Sequence, residues 1–473
     1  MRWIDRLIGV ASTLILARLL VPEDFGIVAM ASLVVGLLDV LLDLGVHVAL
    51  IQKRQATQAL FDTAWTLRLL QNITAATLIV VAAPLAGTYF GDSRVTPVLQ
   101  VMSLGLVLIG LENIGVVAFQ KDMQFLRDFR FVFLKRIAGF LTTIAAAWLL
   151  RSYWALVIGA LTGRLLGVVL SYSMHPMRPR ISLVKFREIF AISQWLLLRS
   201  IGAYLDNNMH KILVGRRAGA GTMGAYSIAD EISAMPSTEL LAPLNRVLFP
   251  AFVRAKENLA ELKRVFLLAQ GVQVLVGIPA SVGLALVAEE AVQVLLGEKW
   301  LPAVPFVQLL ALVNVINAIT SSGGYVMITL GRVPYVALLS WLQALVFVAG
   351  ACVVWPGSEA HGIAQLRLVS VVVGLGVAIR LLLWSLPNLG LRELVASVAR
   401  PVLGGGVMTV AVLFGTLPAG STPVVALVGK IVLGSTVYGI ATMALWVLWG
   451  KPEGAERYLL ERVRSTLGKR QSA

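Results

Sequence analysis

One cysteine, four histidines and few charges set the outer limits on what this chain does. Cys352 stands alone, which excludes an internal disulfide and any cysteine-based metal centre. The four histidines are scattered and show no metal-ligand spacing. Only 14% of the 473 residues are charged, against ~25% in a soluble domain. No Walker-type glycine-rich loop and no nucleophile–base pair is present, so neither direct drive by ATP nor covalent catalysis is encoded. Acidic residues are scarce as well, 25 against 40 Lys and Arg, leaving a formal net charge of +15. That balance suits nucleic acid in principle. The basic residues fall mainly in alternate short loops, however, which is the positive-inside pattern of a membrane protein, and no nucleic-acid partner is expected.

What is abundant is apolar sequence. Mean hydropathy is +0.84, and apolar runs of roughly 18 to 25 residues, long enough to cross a bilayer, recur throughout. The chain reads as an all-α polytopic membrane protein of about fourteen spans, placed at 3–20, 25–51, 62–85, 96–119, 131–150, 153–173, 191–214, 221–247, 264–288, 301–329, 334–354, 362–386, 398–417 and 423–449. Met1 to Leu20 shows no cleavable signal and reads as the first span. Pro236 and Pro243 interrupt the eighth span, and Asn314, Asn317, Ser321 and Ser322 dilute the tenth; kinks are expected where freed backbone groups find partners inside the bundle.

Lys53, Arg54, Lys121, Arg127, Arg130, Arg178, Arg180, Lys185, Arg187, Arg254, Lys256, Lys263 and Arg264 share one side of the membrane, so both termini are expected in the cytoplasm. Trp148, Trp154, Trp300 and Trp355 fit an outer aromatic belt, with Trp446 and Trp449 on the inner side. The tail from Lys451 interleaves Tyr458, Leu459, Leu460, Val463 and Leu467 with basic residues. It reads either as an amphipathic helix on anionic inner-leaflet lipid or as a basic tail enforcing topology.

A weak internal repeat organises the chain. Ile15-Leu16-Ala17-Arg18 through Phe25-Gly26-Ile27-Val28-Ala29-Met30-Ala31 parallels Ile212-Leu213-Val214-Gly215-Arg216 through Met223-Gly224-Ala225-Tyr226-Ser227-Ile228-Ala229. The two stretches lie six spans apart, and an even offset keeps orientation. This predicts two parallel, pseudo-symmetric six-helix lobes, 1–174 and 191–387, joined by a cytoplasmic linker at 175–190, with two extra helices at 388–450 and a basic cytoplasmic tail at 451–473.

Ionisable groups inside the spans are the candidates for function. Each costs at least ~2.5 kcal/mol in hydrocarbon. Arg18, Arg68, Arg164, Arg199, Arg367 and Arg380 lie within or at the shoulders of spans. Arg18, beside Glu23 and Asp24, reads most simply as a snorkelling arginine, and Arg68 also has an interface in reach. Arg164 sits in Gly159-Ala160-Leu161-Thr162-Gly163-Arg164-Leu165-Leu166-Gly167, a doubled small-xxx-small stripe that lets backbones approach closely and points the arginine into the protein. If Arg164, Arg199, Arg367 and Arg380 face one cavity, they form a cationic site for a pyrophosphate or acidic sugar. The carboxylates Asp39, Asp43, Glu112, Asp206, Asp230 and Glu231 either neutralise these cations or hold a coupling H+ or Na+. No other cofactor and no metal are expected.

Leu16-Ala17-Arg18-Leu19-Leu20-Val21-Pro22-Glu23-Asp24-Phe25-Gly26, Asp43-Leu44-Gly45 and Ile51-Gln52-Lys53 resemble the opening of bacterial Wzx-type polysaccharide flippases. Gly215-Arg216, Gly224-Ala225-Tyr226, Val247-Leu248-Phe249-Pro250-Ala251-Phe252 and Gly297-Glu298-Lys299-Trp300 extend the match towards the colanic-acid exporter branch of the polysaccharide transporter family. That family lies within the multidrug/oligosaccharidyl-lipid/polysaccharide exporter (MOP) superfamily. The resemblance implies an inner-membrane flippase of fourteen helices that turns an undecaprenyl-pyrophosphate-linked oligosaccharide across the bilayer by alternating access. Its expected associates are the polysaccharide polymerase and chain-length machinery. The rival readings are a drug/cation antiporter of the same superfamily, which favours an acidic and aromatic cavity, and a peptidoglycan-precursor flippase.

Overall fold

The computed structural model describes residues 2–43, 45–46, 50, 57–354, 359–415, 422–458 and 460–461, with side chains for all of these except 2–7, 10, 188–199, 242, 246 and 354. Those residues contain α-helices and no strand. The chain divides into two compact units, Met1–Ser227 and Ile228–Ala473. Ten helical segments are long and apolar enough to cross a membrane, or eleven with a bent pair taken as one span. The three other expected spans fall on helices richer in charge: α1, and the two arms of a long broken helix, α8.

The first unit runs α1 (Arg2–Leu19), α2 (Pro22–Leu42), α3 (Gln58–Phe90), α4 (Val95–Leu111), a short α5 (Val117–Lys121), α6 (Phe125–Leu150), α7 (Trp154–Met174) and most of α8 (Phe186–Met235). Pro22 opens α2, where its missing N–H costs nothing. Asp24 in the first turn accepts the Val21 N–H at 3.2 Å and reaches across to the Tyr153 N–H at 2.9 Å. The expected second span to residue 51 is corrected: α2 stops at Leu42. Asp43 takes the Gly45 N–H at 2.8 Å, and Gly45 turns the chain at φ 60°, a conformation cheap only for glycine.

The fourth span is likewise not one rod. Glu112 and Asn113 interrupt it, and the two parts meet at 66°. Asn113 holds the break. Its side-chain oxygen accepts the Gly115 N–H at 2.9 Å, its amide donates to the Met177 carbonyl at 2.7 Å, and its own N–H donates to Ser171 Oγ at 2.9 Å.

Glycines set the close packing. The stripe predicted on α7 meets α6: an added Cβ on Gly163 would lie 3.2 Å from the Lys135 carbonyl, and one on Gly159 only 1.7 Å from Thr143 Oγ1. Helix α8 breaks at Gly219, φ 74°. Just beyond, the two halves of the sequence repeat meet reciprocally. A Cβ on Gly26 would lie 1.8 Å from the Ala220 carbonyl oxygen, and one on Gly224 1.8 Å from that of Pro22.

In the second unit α8 passes into a wider π-helical turn, Pro236–Leu241, then α9 (Ala242–Ala255), α10 (Leu259–Leu286), α11 (Ala288–Leu295), a 3-10 turn (Glu298–Ala303), α12 (Val304–Thr329), α13 (Val333–Val354), α14 (Ala360–Ser385), α15 (Leu391–Phe414) and α16 (Pro423–Leu448). The kinks expected at Pro236 and Pro243 are present, and the polar residues of α12 serve them. Ser237 donates to Asn314 Oδ1 at 3.1 Å, Asn245 donates to Ser321 Oγ at 3.2 Å, and Ser322 donates to Gln273. Pro279 leaves the Leu275 carbonyl without its helical donor; Tyr438 of α16 supplies one at 2.9 Å.

Two expectations change here. Trp300 is no belt residue, since it is fully buried. The described start of the tail packs on protein: Ala455 lies against Gly271, and Glu456 forms a buried pair with Arg400 at 2.9 Å.

Candidate functional site

In the first unit charged side chains from α2, α3, α6 and α7 converge around the break after α4. At 1.5 Å per residue, Arg68, Lys135 and Arg164 each lie about 15 Å along their helices from the first residues of α3, α6 and α7. Glu112 ties the inner group together. Its Oε2 accepts from Arg68 Nη2 at 3.1 Å and its Oε1 from Lys135 Nζ at 2.7 Å. The carboxylate side chain is 7% exposed, whereas Arg68 and Lys135 retain 24% and 29%. Asp39 joins the series, lying within electrostatic reach of Arg68, Arg164 and Asp43. Three cations and three carboxylates thus form a ladder across these helices.

Small residues make room for the long cationic stems. Arg164 lies over Gly105 of α4, where an added Cβ would sit 2.0 Å from Nη1. The Lys135 stem covers Gly167, and the Arg136 guanidinium lies over Gly9 of α1. Beside the triad opens a cavity of about 320 Å³ lined by Arg68, Glu112, Ile114, Gln120, Asp128 and Phe131. Gln120 donates to Asp128 at 3.2 Å on its wall.

The remaining candidates lie elsewhere. Arg18 is exposed at the end of α1, and the side chain of Arg199 lies outside the described residues. Asp206 is half-buried in α8, one turn before His210, whose Nδ1 meets the Tyr226 hydroxyl at 2.8 Å. In the second unit Arg367 is buried and Arg380 exposed on the same helix, α14, while Asp230 is half-buried and Glu231 exposed. Lys135 and Arg136 were absent from the candidates read from sequence. Their signal was legible: two adjacent cations inside a segment read as the fifth span.

Just outside α7, His175 stacks at a tilt on Phe119, with ring centroids 5.6 Å apart. Its Nδ1 accepts the Met177 N–H at 3.2 Å. Burial holds its pKa below the ordinary histidine value, helped by Arg127 and Arg178 and opposed by Asp122.

Among the described residues no group of three or more His, Cys, Asp or Glu side chains is placed to hold a metal ion. What the ladder offers chemically is exchangeable cations for a phosphorylated or otherwise anionic group, with carboxylates as their resident partners.

A family described as "Polysaccharide biosynthesis protein" matches residues 15–305. The lipopolysaccharide biosynthesis protein WzxC of Escherichia coli (strain K12) is 25% identical over 334 residues, covering 69% of this chain and 67% of that protein. Among solved structures, the lipid II flippase MurJ in an inward closed conformation matches with a TM-score of 0.77 at 12% identity, over 94% of this chain and 97% of that one. A multidrug resistance MATE family transporter of the MOP superfamily, inward-facing, matches with a TM-score of 0.58 at 16% identity, over 81% and 96%. At such identities the likeness speaks to fold alone, and the fold is an all-α membrane bundle like those of these two proteins.

Proposed function

Because this chain belongs to the polysaccharide biosynthesis protein family, we propose that it is a flippase for lipid-linked oligosaccharide. It moves an undecaprenyl-pyrophosphate-linked repeat unit across the bacterial inner membrane by alternating access, for exopolysaccharide, O-antigen or capsule assembly. The observation that carries this reading is the ladder of Arg68, Lys135 and Arg164 inside membrane-crossing helices. Cations held there at such cost suit a diphosphate head group. An antiporter for cationic drugs gains nothing from them.

Arg18, Arg199, Arg367 and Arg380 are further candidate cations in this reading, and Asp39, Asp43, Asp206, Asp230 and Glu231 balance charge or carry a coupling H+ or Na+. The polyprenyl tail stays in the bilayer. Both termini face the cytoplasm, and the polymerase and chain-length machinery receive the flipped unit on the far side. Arg164→Ala and Arg199→Ala test the reading: each should abolish polymer export while the protein still inserts at normal abundance. Full-rate export in both variants would overturn the cationic-site account.

A further inference from the structure

Glu112 does more than neutralise its neighbours. It places one carboxylate oxygen on each of two cations from different helices, Arg68 at 3.1 Å and Lys135 at 2.7 Å. A diphosphate spans two cations in the same divided way, one phosphoryl group to each. The burial is arranged to permit a swap. The Glu112 side chain is nearly closed off, while both cations keep about a quarter of their side-chain surface open, and Arg68 and Glu112 both border the 320 Å³ cavity.

Its backbone allows movement too. Glu112 has φ −59° and ψ 133°, outside any helix, immediately after α4. The fixed point is the next residue, Asn113, with its three hydrogen bonds. Glu112 closes the last turn of α4, its N–H on the Ile109 carbonyl at 3.4 Å, and no helical residue continues directly beyond it.

We propose that Glu112 is an internal stand-in for the substrate's diphosphate, holding Arg68 and Lys135 in place until the diphosphate displaces it. This rests on the flippase reading for the identity of the anion. The displaced carboxylate swings away from Arg68 and Lys135 and leaves both free to hold the diphosphate. The other charged groups facing this region are Asp128 on α6, across the cavity, and Asp39 on α2, which reaches Arg68; Arg164 on α7 is drawn to Asp39. None of these lies on Glu112 with the directness of Arg68 and Lys135, so the exchange is carried by the triad.

The test is calorimetric titration of the purified full-length protein with inorganic pyrophosphate. Glu112→Gln should bind pyrophosphate at least about tenfold more tightly than the parent chain, a typical coupling between competing ligands. Glu112→Asp, too short to span both cations, should tighten binding by a smaller factor; it decides the matter alone if the glutamine variant does not fold. Arg68→Gln combined with Glu112→Gln should erase the gain. Pyrophosphate affinity unchanged in both single variants would overturn the proposal. Because the measurement involves no export, its failure is distinct from failure of the flippase reading, which rests on what accumulates in cells.

Discussion

His175 shows how a single side chain here makes a pH-dependent contribution. In the folded chain its Nδ1 is an acceptor for the Met177 N–H, a role only the neutral ring can fill. Burial, with Arg127 and Arg178, holds its pKa below the unfolded value, so below about pH 6.5 the unfolded chain binds the extra proton first. Stability from this contact is therefore complete above that pH and is lost as pH falls through it. The thermal midpoint of the purified protein should drop between pH 7.5 and 5.5, and His175→Gln should lessen the drop; an equal drop in the variant contradicts this. At this scale cost picked out charged side chains that the fold brings together. Arg68, Arg164, Asp39 and Glu112 stand out in the sequence because charge inside apolar runs is expensive. Lys135 and Arg136 escaped because the fifth span read from sequence opens at 131, beside a basic loop, whereas α6 begins at Phe125 and carries them well inside the helix. The glycine sockets at Gly105 and Gly167 could not be assigned from sequence, since which helix lies opposite is a tertiary fact.

Among the elements, the crossing of α2 and α8 is set by two glycines that the sequence repeat had already paired. Gly26 and Gly224 each place bare backbone against the other segment, with no volume for a methyl group. Gly26→Leu or Gly224→Leu should force these segments apart and abolish export at normal membrane abundance, whereas Gly283→Leu, where nothing lies within 4 Å of an added Cβ, should export normally. Equal export in all three variants would contradict the packing account. A second element-scale prediction concerns the tail. Arg400 and Glu456 are 7% and 8% exposed, and removing one partner of so buried a pair costs about 3–5 kcal/mol. Glu456→Ala should therefore lower the thermal midpoint clearly, and Arg400→Met in the same chain should restore part of the loss; no change in Glu456→Ala would show that the pair contributes nothing. Element type was legible throughout from hydropathy and length. The breaks were harder. Pro236 and Pro243 announced theirs, but the bend at Glu112–Asn113 depends on partners at Ser171 and Met177, and the end of α2 on a turn at Asp43 hidden in an apolar run. The tail's amphipathic pattern suited lipid and protein alike, and only packing on Gly271 and Arg400 decided for protein in its described part.

For the whole molecule, the sequence pattern reached the class of fold directly: recurrent apolar spans describe an all-α polytopic membrane bundle. What the molecule moves is a different kind of question, answered by charge inside the spans together with family membership. In the proposed reading, the ladder of Lys135, Arg68, Glu112, Asp39 and Arg164 in the first unit meets an anionic head, whereas a purely acidic lining would suit a cation. The most direct measurement is leaflet-resolved: deplete the protein in cells that keep their glycosyltransferases and polymerase, and count lipid-linked oligosaccharide in each leaflet of the inner membrane. The flippase account predicts that an undecaprenyl-pyrophosphate-linked repeat unit accumulates in the cytoplasmic leaflet and returns to the outer leaflet when the protein is restored. Depletion with no such species accumulating, or with accumulation of peptidoglycan precursor alone, would contradict it.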